Sequence, residues 1–87
     1  MRLTEVATLG MEQLSQLTGY RPVAVVGSAK ENGGWRITVD LLELTRIPPS
    51  TDLLGVYEAL VDEEGNLLEF QRKMTHNRGD ILELNGA

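Results

Sequence analysis

One change of hydrophobic period, at Pro22, constrains this chain more than any other feature. Before it, Leu3, Ala7, Gly10, Leu14 and Leu17 recur at spacings of three and four, with Val6 and Met11 widening the stripe. That is the period of an amphipathic helix, predicted over 3–18. Thr4 is the expected N-cap, and Thr18-Gly19 supplies a residue free to take the left-handed conformation that ends helices. Pro22 forbids a return to helix, and beyond it the period becomes two and the residues β-branched and aromatic.

Four strands are predicted, over about 23–30, 34–47, 53–62 and 67–75. Asn32-Gly33 accepts positive φ at both central positions of a tight turn and marks a hairpin between the first two. In the second strand Trp35, Ile37, Val39 and Leu41 alternate with Arg36, Thr38 and Asp40, after which Leu42 and Leu44 take over the apolar parity. A β-bulge near Leu41-Leu42 would restore the facing. Pro48-Pro49-Ser50-Thr51-Asp52 reads as a loop and Asp62-Glu63-Glu64-Gly65-Asn66 as a charged turn.

The expected fold class is therefore α+β: an N-terminal helix packed on a curved four-stranded antiparallel sheet, in the order α-β-β-β-β. At 87 residues the chain is expected to form a single domain, 1–87, with 77–87 as a frayed end or short docking segment. The third strand is apolar on both parities, Tyr57, Ala59 and Val61 on one side and Leu54, Val56 and Leu60 on the other. One helix shields one sheet face, so the second set needs its own cover: the tail, sheet curvature, or a partner such as a second copy in a homodimer.

Composition removes several functions. The formal net charge of −5 opposes non-specific binding to nucleic acid, which depends on a basic surface. With no Cys there are no disulfides, thiolate metal sites or cysteine nucleophiles. No apolar run approaches the roughly 20 residues of a membrane-spanning helix, and Glu5, Glu12 and Gln13 interrupt any signal-peptide core. A cytoplasmic location is expected.

No catalytic or metal-binding residues emerge, and no cofactor is implied. Neither a P-loop nor a dinucleotide-binding glycine pattern is present, and no serine stands in a nucleophile elbow. His76 is the sole histidine and reads as solvent-exposed. Asp40, Glu43, Glu58 and Glu69 can lie on neighbouring strands, but Arg36, Arg46, Arg72 and Lys73 share those elements, which favours cross-strand ion pairs over acid–base chemistry. Arg72, Lys73, His76 and Arg78 form the one basic cluster and suggest an acidic protein partner. Arg78-Gly79-Asp80 spells a cell-adhesion tripeptide, read here as coincidence.

The ordered string Gly34-Trp35, Glu43 with Arg46-Ile47-Pro48, Asp52, Tyr57-Glu58, Gly65, and Arg72 with Arg78 resembles the gas vesicle protein O family. It runs from about Leu17-Thr18-Gly19 to Arg78. It departs from that pattern at Asp40, where a Glu is usual, and at Thr75-His76, where an Arg-Tyr pair is expected. The resemblance implies a small cytoplasmic accessory protein without catalytic residues, free in the cytoplasm or associated with gas vesicles. Such a protein supports gas vesicle formation through contacts with other gas vesicle proteins or, alternatively, regulates gas vesicle gene expression through nucleic acid or a transcription-factor partner. Beside it, the residues assign local roles. Trp35, Pro48 and Tyr57 are expected structural anchors, Trp35 between sheet and helix and Pro48 in the turn out of the second strand. Arg46, Glu58, Arg72 and Arg78, beside Leu54, Val56 and Leu60, are the candidate partner-binding residues, their charges serving either an internal ion-pair network or a docking face.

Overall fold

A computed structural model describes residues 2–79. Helix α1 (Leu3–Thr18) is followed by strands β1 (Arg21–Glu31), β2 (Gly34–Leu44), β3 (Leu53–Asp62) and β4 (Leu67–Asn77), with a 3-10 turn over Pro49–Thr51. Each strand pairs antiparallel with the next, in the spatial order β1-β2-β3-β4, and the sheet does not close into a barrel. The α-β-β-β-β architecture is the one the period change at Pro22 implies.

The stripe on α1 buries Val6, Ala7, Gly10 and Leu14, whereas Leu17, expected on the same stripe, is 68% exposed. The N-cap is Arg2 rather than Thr4, and no side chain caps it. Thr4 already lies inside the helix, where its carbonyl accepts the Thr8 hydroxyl at 2.8 Å. At the other end Gly19 takes φ 79° and donates its N–H to the Ser15 carbonyl at 2.8 Å, closing the helix as its sequence implies.

Cross-strand pairing sorts the residues by face. Trp35, Ile37, Val39 and Leu41 stand opposite Val61, Ala59, Tyr57 and Gly55, and this side receives α1. Val6 and Leu14 of the helix and Ile37, Val39, Leu41 and Val61 of the sheet are completely buried. The helix lies so close that a Cβ on Gly10 would come within 2.7 Å of Val61 Cγ1 and 2.9 Å of Ile37 Cδ1. Gln13 fastens it to the β3–β4 turn, donating its Nε2 to the Gly65 carbonyl at 2.5 Å and accepting the Leu67 N–H at 3.0 Å.

Trp35 is only half-buried. It borders the core at the start of β2, with the Lys30 ammonium 5.0 Å from its ring centroid. The core anchor between sheet and helix is thus the Ile37–Val39–Leu41 row, because Trp35 sits at the hairpin end, where a β1 lysine caps its ring.

The expected slip of alternation in β2 is present, but at Glu43. The register passes from Leu42–Leu54 to Leu44–Leu53 and leaves Glu43 as the extra residue. In the β1–β2 hairpin only Gly33 has positive φ, at 78°, so Asn32 does not take the left-handed conformation. Strand β1 starts at Arg21; Pro22 is tolerated because an edge strand does not need every N–H. Further irregularities isolate Val23 and Val26 in β1, and Leu68 and Lys73 in β4, so both edge strands are interrupted. The proposed docking tail falls mostly on residues 80–87, which lie outside the described residues.

Candidate interaction site

Four charged arrangements are built on this sheet, and three of them use residues of the motif string. On the helix side, the bulge turns Glu43 over the backbone of Gly55. Its Oε2 accepts the Tyr57 hydroxyl at 2.6 Å and Arg72 Nε at 2.9 Å, and its Oε1 accepts Arg72 Nη2 at 2.7 Å. The Glu43 side chain is 7% exposed. The two-pronged Arg72 contact, opposed by burial and reinforced by Tyr57, holds the Glu43 carboxyl below the usual glutamate range. Burial, aided by the Glu43 carboxylate, pushes the Tyr57 phenol up to about 12.

On the far face Arg36 bridges two strands, donating Nε to Glu31 at 2.5 Å and Nη1 to Glu58 at 2.7 Å. Lys73 lies 3.9 Å from the same Glu58 oxygen. Glu31 is held below its ordinary range chiefly by its hydrogen bond from Arg36.

Further along that face, Asp40 and His76 meet, with Nε2 3.5 Å from Oδ2 and side chains 9% and 8% exposed. His76 is therefore not the solvent-exposed residue the sequence suggests: β4 runs on to Asn77 and sets it opposite Leu54, beside the Asp40 strand. Its Nδ1 lies 3.0 Å from the Asn77 carbonyl oxygen, while Asp40 Oδ1 and His76 Nε2 have no hydrogen-bond partner among the described residues. The two positions at which the chain departs from the pattern it resembles are thus in contact.

The fourth arrangement anchors the β2–β3 connection. Asp52, 7% exposed, accepts the Arg46 N–H at 2.7 Å and Arg78 Nε at 3.2 Å. The backbone N–H groups of Arg78 and Gly79 donate to the carbonyls of Asp52 and Ser50, both at 2.8 Å. Pro48 follows a cis peptide bond, and its carbonyl accepts the Thr51 N–H at 2.9 Å.

The structure consequently divides the candidate residues. Tyr57 is buried and Pro48 lies in the turn out of β2. Arg72, Arg78 and Glu58 are engaged within the chain, as are Lys73 and His76, so the basic cluster already faces intramolecular carboxylates. Leu54 and Val56 are 3% and 7% exposed, flanked across the strands by Leu42 and His76 and by Asp40 and Met74. Of that apolar set Leu60 alone retains partial exposure, in a shallow depression with Arg36, Glu58 and Glu69. Arg46 is exposed, and no described residue pairs with its guanidinium. Beside it the sequence reading missed Ile47, which is 98% exposed. The expected second strand ran through it to residue 47, whereas β2 ends at Leu44 and leaves Ile47 in the connection before Pro48.

Asp40, Glu58 and Glu69 share the far face and Glu43 is on the other side of the sheet, so the four do not converge; Glu58 and Glu69 line one depression, where Arg36 pairs with Glu58. Among the described residues no group of three His, Cys, Asp or Glu side chains can hold a metal ion, and no helix is long and apolar enough to cross a membrane. The fold and its sites define a small α+β meander in which the motif charges other than Arg46 are paired within the chain.

Comparison with known proteins gives that class a family. The family model described as gas vesicle synthesis protein GvpO matches residues 1–82, and the chain belongs to that family. It is 36% identical over 67 residues to gas vesicle protein O of Streptomyces sp. (strain CB03234), covering 77% of this chain and 52% of that one. To gas vesicle protein O of Haloferax mediterranei it is 28% identical over 82 residues, covering 93% and 59%. To gas vesicle protein O1 of Halobacterium salinarum it is 25% identical over 81 residues, covering 93% and 68%. The chain thus spans between 52% and 68% of the length of these relatives. No solved structure matches it.

Proposed function

We propose that this chain is a non-enzymatic, cytoplasmic accessory protein, folded as one domain, that supports gas vesicle formation by binding other gas vesicle proteins. Family membership supports the gas vesicle setting. The observation that carries the binding role is the division of its polar groups. The residues that would do acid–base chemistry or grip phosphates, Glu43, Glu58, Arg72, Lys73 and Arg78, are paired internally. Arg46 and Ile47 remain accessible. A surface that offers an aliphatic side chain and an unpaired cation suits protein contact. The regulatory alternative through nucleic acid draws on the same Arg72, Lys73 and Arg78, and their engagement leaves it without a supporting observation.

The test is reciprocal affinity purification of the tagged chain with each product of its gas vesicle gene cluster. Specific, saturable recovery of one product is expected. Recovery of none, together with normal vesicles after clean deletion of the gene, would sink the proposal. A gel shift at near-physiological salt separates the nucleic-acid alternative.

A further inference from the structure

The end of the sheet where β1 begins and β2 finishes carries a surface unlike the rest of the molecule. A groove there is lined by Tyr20, Arg21, Leu42, Leu44 and Thr45, with Glu43 at its base. Tyr20 is 37% and Leu44 49% exposed, and the chain runs from that wall straight into Arg46 and the 98% exposed Ile47. Two features make this more than a scatter of exposed apolar atoms. First, the connection is held in place: buried Asp52 grips the Arg46 N–H and Arg78, and Gly79 donates to Ser50. Ile47 is therefore presented with much of the ordering cost of binding already met.

Second, the charge is one-sided. Arg21 and Arg46 are exposed and without a side-chain partner among the described residues, where the nearby carboxylates Asp40, Glu43 and Asp52 are buried, Asp40 beside His76 and the other two committed to Arg72, Tyr57 and Arg78. Among the described residues, a chain of net charge −5 thus offers a shallow groove of mixed polar and apolar lining whose exposed charges are both positive. Charge complementarity selects the occupant.

We propose that the Tyr20–Leu44 groove and the Arg46-Ile47 knob together form the docking site for an acidic, amphipathic segment of another gas vesicle protein, its apolar side chains meeting Leu44 and Ile47 and its carboxylates meeting Arg21 and Arg46. This rests on the accessory-protein reading above and assigns it a place on the molecule.

The experiment is calorimetric titration of the full chain with each purified product of its gas vesicle cluster, at low and near-physiological salt. The chains compared are wild type, Ile47→Asp, Arg46→Glu, Arg21→Glu and a control, Leu68→Asp, at an exposed apolar position near the opposite end of the sheet. Unchanged circular dichroism and melting temperature establish that each variant is folded. The proposal expects one product to bind, affinity to fall at least about tenfold in each of the three groove variants, to hold in the control, and to weaken with salt. Binding that survives all three groove substitutions overturns the site and leaves the accessory role standing. Loss with Ile47→Asp but not with either arginine reversal overturns the acidic chemistry of the partner. Binding by no product overturns the site, and together with normal vesicles after deletion of the gene it overturns the accessory reading as well.

Discussion

Gly55 lies beneath the carboxylate of Glu43: a Cβ on Gly55 would come within 2.6 Å of Glu43 Cδ and 2.8 Å of Tyr57 Cε1. The β2 bulge delivers Glu43 to that spot, and Tyr57 and Arg72 hold it there. Gly55→Ala should therefore destabilise the protein by about 1–3 kcal/mol, because the obstructing group is pinned on both sides. The cost should be below additive in Gly55→Ala/Glu43→Ala, where the nearer obstruction is gone and only the Tyr57 ring remains. Urea denaturation of the four chains checks both statements.

The same cluster sets a pH dependence at both extremes. Glu43 titrates lower in the folded chain than in the unfolded one, so its contribution is complete above about pH 4.3 and disappears as pH falls through the folded value. Tyr57 is shifted the other way, to about 12, so its contribution is complete below the unfolded phenol value near 10 and is lost between there and about 12. Thermal melts across pH should lose the alkaline decline in Tyr57→Phe and part of the acid decline in Glu43→Gln.

Much of this was legible before any coordinates. The period change placed the helix and the strands, and the parity slip announced a bulge. What local pattern could not supply was the pairing of groups far apart in sequence. Cross-strand ion pairs are legible as a class, but that Glu43 meets Arg72 and that Tyr57 joins them follows only from the β2–β3–β4 register. The same limit misplaced His76 and Trp35. An imidazole near a strand end looks exposed until a longer β4 sets it beside Asp40, and a lone tryptophan looks central until the hairpin leaves it at the rim. The exposed Arg46-Ile47 pair was half seen, with the cation singled out and the isoleucine passed over.

Asp52 should matter more than its place beside a surface connection suggests. Asp52→Ala leaves the part-buried Arg46 N–H without its acceptor and releases Arg78, at a cost of about 1–3 kcal/mol. Arg78→Ala should cost less than about 1 kcal/mol, since that side chain is 40% exposed. Hydrogen exchange at the Arg46 amide should accelerate strongly in the first variant and weakly in the second.

Core substitutions should rank by contact with α1 rather than by size. Ile37→Ala, at a fully buried position, is expected to cost about 3–4 kcal/mol, and Trp35→Ala about 2 kcal/mol because its ring is only half-buried. Gly10→Ala should also destabilise, by about 1–3 kcal/mol despite alanine's better helix propensity, because the methyl group would strike Val61 and Ile37. Chemical denaturation midpoints of the three variants test that order.

The central claim is that the motif charges serve the fold while the accessible Arg46-Ile47 connection serves the gas vesicle. Its most direct test is the vesicle yield, by electron microscopy, of a strain whose own copy of the gene is deleted and replaced by the Ile47→Asp allele. The expected result is wild-type accumulation and melting of the variant with few or no vesicles; wild-type vesicle numbers from that folded variant would contradict the account.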